Sequence, residues 1–80
     1  MPRYYFDVDD GENKALDFEG IERPDENTAR AEAISDLYAL AREMLPKAGR
    51  RQIALSVRDE GGTVVIEETL SVTVERLKLS

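Results

Sequence analysis

Residues 25–45 read DENTARAEAISDLYALAREML, and this stretch decides the fold because it alone carries a helical period. At about 100° per residue, Ala33, Leu37, Leu40, Ala41 and Met44 share one face, with Ala29, Ile34 and Leu45 at its margins. Glu32, Ser35, Asp36, Ala39, Arg42 and Glu43 fall opposite. One apolar stripe against one solvated face is the pattern of a helix lying on a sheet. Pro24 ends whatever precedes it, and Asp25 is placed to cap the free backbone N–H groups, with Glu26 at the positive end of the dipole. Pro46 stops the helix, followed by Lys47 and Gly49. The expected helix therefore spans about residues 26–45.

Arg30 interrupts the apolar side one turn in from the start. Two readings compete. Its stem can lie on the sheet while its head reaches water, or it can form an ion pair with an acid on the sheet, for which Glu68 is the candidate.

Outward from the helix, Arg3 to Asp9 alternates: Tyr4, Phe6 and Val8 toward the helix, Arg3, Tyr5, Asp7 and Asp9 away from it. A turn with Gly11 follows, then a weaker, acid-rich strand, roughly Lys14 to Ile21, with Leu16 and Phe18 expected to point inward. After the helix, Arg51 to Arg58 places Ile53, Leu55 and Val57 inward. Asp59-Glu60-Gly61-Gly62 is a hairpin turn. The last segment, Thr63 to Leu77, places Val64, Ile66, Leu70, Val72 and Val74 on one parity, and runs to about a dozen residues where most strands have about five or six. Glu68 breaks its inward side, which predicts either a bulge at Glu67–Glu68 or a partner for the charge.

The sum is α+β: a β-β-α-β-β two-layer sandwich in which one mostly antiparallel four-stranded sheet carries a single helix on one face. The long last strand is expected to pair with two others, which would put strands one and four in the centre and strands two and three at the edges.

Composition narrows the function classes. Eighty residues make one small domain, 1–80, burying about 60–65% of its unfolded surface. There is no cysteine, which excludes disulfides and thiolate metal sites, and no histidine, the commonest general base. A net charge of −6 disfavours nucleic-acid and membrane partners. No apolar run approaches the ~20 residues of a membrane span, and no signal peptide is evident, so the expected location is the cytoplasm.

No constellation carries chemistry. The acids Asp7, Asp9, Asp10, Glu12 and Asp17 miss the calcium-loop spacing, because counting from Asp7 the glycine comes one place early. Asp7 and Asp9 share a strand face, but an uncovered face does not tune a carboxylate. Lys47, Arg50 and Arg51 form the one cationic group, suited to the helix C-terminus. The expectation is no catalytic residue, no cofactor and no metal. The open sheet face, with Arg3, Tyr5, Asp7 and Val65, is the expected interaction surface.

The opening Met1-Pro2-Arg3-Tyr4-Tyr5-Phe6-Asp7-Val8, the Asp17-x-Glu19-Gly20-x-Glu22-x-Pro24-Asp25 stretch, Ala29-Arg30-Ala31-Glu32-Ala33, Val57-Arg58-Asp59-Glu60-x-Gly62 and Val74-Glu75-Arg76-Leu77 together resemble a family of very short bacterial proteins of unknown function, largely alphaproteobacterial. The resemblance covers nearly the whole chain. It implies a stand-alone bacterial cytoplasmic protein and supplies no activity, cofactor or catalytic residue. That family favours an apolar residue where this chain has Glu68.

The expected function is a non-catalytic protein–protein interaction module, self-associating as a dimer or bound to another protein. The alternative is a regulatory, antitoxin-like acidic protein that binds a basic partner or a nucleic-acid enzyme.

Overall fold

A computed structural model describes residues 1–43 and 49–79. The elements in order are β1 (Arg3–Asp9), β2 (Lys14–Ala15), β3 (Ile21–Glu22), α1 (Glu26–Glu43), β4 (Gly49–Arg58) and β5 (Val64–Val74). β2 and β3 are two short pieces of one interrupted strand, so the chain follows the expected β-β-α-β-β order with an antiparallel sheet and one helix.

The helix starts where its cap puts it. Asp25 Oδ1 accepts the Thr28 N–H at 2.8 Å and the Thr28 hydroxyl at 2.9 Å. Those bonds hold the Asp25 carboxyl below its ordinary range. The expected last turn, Met44 and Leu45, with Pro46 and Lys47 beyond it, lies outside the described residues. The buried side is the row Ala29, Ala33, Leu37 and Ala41, each one turn above the last. Three alanines in that row let the helix axis come close to the sheet. Ala29, expected at the margin, is in the contact, and the stripe is rotated so that Arg30 is exposed.

Beneath the helix the core is Tyr4 from β1, Ile53, Leu55 and Val57 from β4, and Ile66 from β5, with Phe6, Val8, Leu40, Val65, Leu70 and Val72 partly buried against it. Leu55 and Val57 are the largest side chains to be sealed from solvent.

The strand order is β2-β1-β4-β5, with β3 beside β1. This corrects the expected order. β4 is central, paired with β1 over Tyr5–Asp9 and with β5 over its whole length, and β5 is an edge. The reason is burial: the three inward residues of β4 are all buried, whereas those of β5 beyond Ile66 are half-exposed. A strand flanked on both sides is covered more fully than one at a margin.

Two further expectations are revised. The irregularity in β5 lies at its start, where Arg58 pairs with Val64 and Val57 with Ile66, leaving Val65 as the extra residue of a bulge. Val65 packs against the core, and Val64, expected inside, is exposed. From Ile66 onward the expected parity holds, and Glu68 faces the helix side opposite Leu55 without any bulge at Glu67–Glu68. Leu16 and Phe18, expected inside, are exposed, Phe18 at 84%.

Candidate functional site

The segment joining β2 to β3 builds the most buried polar cluster among the described residues. β1 residues Val8 and Asp9 pair with Ala15 and Lys14, and Arg3 and Tyr4 pair with Glu22 and Ile21. Between these pairings, residues 16–20 run opposite only Tyr5, Phe6 and Asp7. The chain has two residues too many to stay in the sheet, so it arcs over the face away from the helix. Asp17 takes the place of the missing strand: its Oδ2 accepts the Phe6 N–H at 3.1 Å. Its Oδ1 accepts the N–H groups of Glu19 at 3.1 Å and Gly20 at 3.0 Å, tightening the arc into an Asx-type turn.

Asp7 sits under this arc and is buried, at 7% exposure. Its Oδ1 accepts the Asp17 N–H at 2.9 Å. Arg58, on the neighbouring strand, grips both of its oxygens: Nε donates to Oδ2 at 2.6 Å and Nη2 to Oδ1 at 3.1 Å. Arg58 Nη2 also donates to the Asp17 carbonyl at 2.8 Å, and the guanidinium lies 5.1 Å from the Tyr5 ring centre. Gly20 makes this closeness feasible. It has φ +69°, and a Cβ there would stand 2.8 Å from Tyr5 Cε1 and 2.9 Å from the Tyr4 carbonyl.

Both carboxyls are held below their ordinary range. For Asp7 the Arg58 hydrogen bond is the main cause, with burial opposing and the Asp17 N–H adding to it. For Asp17 burial opposes ionisation, but the N–H groups of Gly20, Phe6 and Glu19, with Arg58 nearby, outweigh it. Such carboxylates stay ionised and fully engaged, and make poor proton acceptors near neutral pH. A shallow cleft of about 510 Å³ lies beside them, walled in part by Leu16, Phe18 and Val64.

The residues expected to form an interaction surface are therefore divided. Asp7 is a buried anchor, and Val65 has turned to the core. Tyr5 lies half-buried beneath Arg58, and Arg3 donates to Glu22 Oε1 at 3.4 Å and to the Glu19 carbonyl at 2.8 Å. The apolar surface at this corner is supplied by Leu16, Phe18 and Val64 instead. The expectation that no second layer covers this face fails over Asp7, because the chain's own arc covers it. The signal was present in the sequence as Asp17-x-x-Gly20, an acid followed by a glycine at turn spacing.

The Arg30–Glu68 pair does not form. The ion pairs among the described residues are Arg3–Glu22, Arg23–Glu32 and Asp7–Arg58. Arg30 reaches solvent, while Glu68 is half-buried in a groove with Ile34, Leu37, Tyr38 and Leu70. The acids of the first turn serve its backbone: Asp10 Oδ1 accepts the N–H groups of Glu12 and Asn13, and Asp9 Oδ1 that of Gly11.

The opposite margin of the sheet differs in kind. β5 is paired to β4 along one side, and among the described residues no strand pairs its other side. No helix among the described residues is long and apolar enough to cross a membrane.

No curated protein and no solved structure matched the chain. One family model did, over residues 3–73, and the chain belongs to that family, described as a Domain of unknown function (DUF6894).

Proposed function

We propose that this protein is a non-catalytic interaction module that self-associates through the outer edge of β5. The observation that carries the reading is that edge itself. Eleven residues, about 35 Å of strand, offer along one side backbone N–H and C=O groups that no strand among the described residues pairs. Proteins that stay apart blunt such edges with proline, lysine, bulges, inward-pointing charges or a cover. Val64–Val74 contains neither proline nor lysine; its bulge lies at the hairpin end, at Val65, its one inward charge is Glu68, and from Leu70 to Val74 the edge is regular and uncharged. The chain is also extended, with a radius of gyration of 15.0 Å where a compact chain of this length has about 12 Å. Against catalysis stands the engagement of Asp7 and Asp17, whose oxygens serve the backbone and Arg58.

Light scattering on a size-exclusion column, run at rising concentration, tests the reading. The expected species has twice the 9.0 kDa mass of the chain. A mass that stays at 9.0 kDa to the highest concentration overturns it.

A further inference from the structure

We infer that the occupant of the β5 edge is β5 of a second copy, antiparallel and centred on Val72, with Glu68 of each copy paired to Arg76 of the other. This rests on the self-association proposed above and fixes its register.

Two copies related by a two-fold axis perpendicular to the sheet keep both helices on one face, and residue i then stands opposite residue 144 − i if Val72 is the centre. On the helix side Val72 meets Val72, and Leu70 meets Val74. All three are half-buried in the single chain and gain cover from one another. On the other face Ser71 meets Thr73, both exposed and both hydrogen-bonding. Glu68 meets Arg76, twice by symmetry.

That last pairing answers a question the single chain leaves open. Glu68 is half-buried on the helix side, opposite the sealed Leu55, and no cation among the described residues reaches it. The groove beside it is walled by Ile34 and Tyr38, which are 43% and 60% exposed on the helix. An arginine entering there can lay its methylenes on Ile34 and Tyr38 and bring its guanidinium to Glu68. Arg76 is the residue the register delivers, from the exposed segment that follows β5.

Neighbouring registers of the same symmetry do worse. Centring on Ser71 sets Glu67 against Glu75 twice. Centring on Thr73 gives Glu68 a partner in Lys78 and sets Val72 against Val74, but it strands Leu70 opposite Arg76, so one apolar residue in each copy loses its apolar partner. A centre nearer the hairpin turn leaves Glu68 without a cation.

Sedimentation equilibrium on the full chain and four variants decides. Arg76→Glu is expected to weaken the dimer at least about tenfold, since two attractive pairs become repulsive. Arg76 is exposed, so the fold tolerates this change. Glu68→Arg is expected to weaken it similarly, with circular dichroism confirming the fold. The double variant Glu68→Arg/Arg76→Glu restores dimerisation to within about threefold of the parent, and Lys78→Glu leaves it unchanged. A dimer indifferent to Arg76→Glu, or a double variant weaker than either single one, overturns this register while self-association stands. Sensitivity at Lys78 in place of Arg76 overturns it in favour of the Thr73 centre. A parent chain that is monomeric throughout overturns both the register and self-association.

Discussion

The two margins of this sheet are built on opposite plans. At the margin beside β1, the edge pieces β2 and β3 run out of register with it, and side chains close the gap between them: Asp17 substitutes for a strand at the Phe6 N–H, and Asp7 and Arg58 hold the arc in place. At the β5 margin no strand among the described residues pairs the outer side, and the strand carries only a bulge at Val65 and the inward-facing Glu68. A domain of 80 residues has little core to spare, and a buried ion pair is a costly way to finish an edge. The longer margin carries lighter devices, the bulge at Val65 and the inward-facing Glu68, and the self-association proposed above would finish the regular stretch beyond them.

If the closed margin depends on Asp7, removing it should open that margin and leave the other untouched. Asp7→Ala strands Arg58 beside a half-buried pocket and frees the Asp17 N–H. The expected loss is about 3 kcal/mol, the low end for breaking a buried pair because the Arg58 side chain is 28% exposed. Urea denaturation measures it, and amide exchange should quicken at Phe6 and Asp17 while β5 keeps its protection. A loss below about 1 kcal/mol would mean that the arc is held by its apolar residues instead. The same network sets an acid dependence. Asp7 and Asp17 are both held below the ordinary value of 3.8. Their stabilisation is thus complete above that value in the unfolded chain, and is lost as pH falls through the lower folded values. Below about pH 4 the parent should lose stability more steeply than Asp7→Asn, as followed by circular dichroism.

How far each margin was legible follows from the same physics. The helix, its Asp25 cap, β1 and the Asp59–Gly62 turn are local, and the 3.6 and 2 periods with turn chemistry reach them. The turn is a worked case: Asp59 Oδ1 accepts the N–H groups of Gly61 and Thr63, and Gly62 takes φ +85°. Parity reading assumes unbroken pairing, and it fails wherever a residue is inserted. One extra residue at Val65 reversed Val64 and Val65, and two extra between β2 and β3 put Leu16 and Phe18 outside. The Asp7–Arg58 pair spans 51 positions, and no local pattern links them. The strand order had a readable clue in Ile53-x-Leu55-x-Val57, uniformly apolar inside, against Glu68 on the same side of β5.

Two glycines sharpen the contrast between strain and packing. Gly20 and Gly62 both have positive φ, but a Cβ at Gly20 meets Tyr5 and the Tyr4 carbonyl under 3.0 Å, and one at Gly62 meets nothing within 4 Å. Gly62→Ala should cost about 1 kcal/mol, from conformation alone. Gly20→Ala should cost about 2 kcal/mol, adding the displacement of Tyr5 from beneath Arg58. Thermal unfolding of the two variants side by side reads the difference. Equal losses would show that the arc can retreat without consequence, and that the closed margin is looser than its hydrogen bonds imply.

The smallest effect on stability is expected at the most conspicuous surface residue of the closed margin. Phe18 is 84% exposed on the arc, so Phe18→Ser should change the unfolding free energy measured in urea by no more than about 0.5 kcal/mol. Its value lies in the oligomer. Phe18 belongs to the arc over the face away from the helix, and the register inferred above uses no residue of that arc, so the same variant should leave the association constant unchanged in light scattering. If instead Phe18→Ser dissociates the dimer, the exposed trio of Leu16, Phe18 and Val64 is the contact surface and the free strand edge is incidental. An aromatic held out on a pinned arc then becomes the reason for the pin, and the costly network at Asp7 is explained by what it displays rather than by the gap it closes.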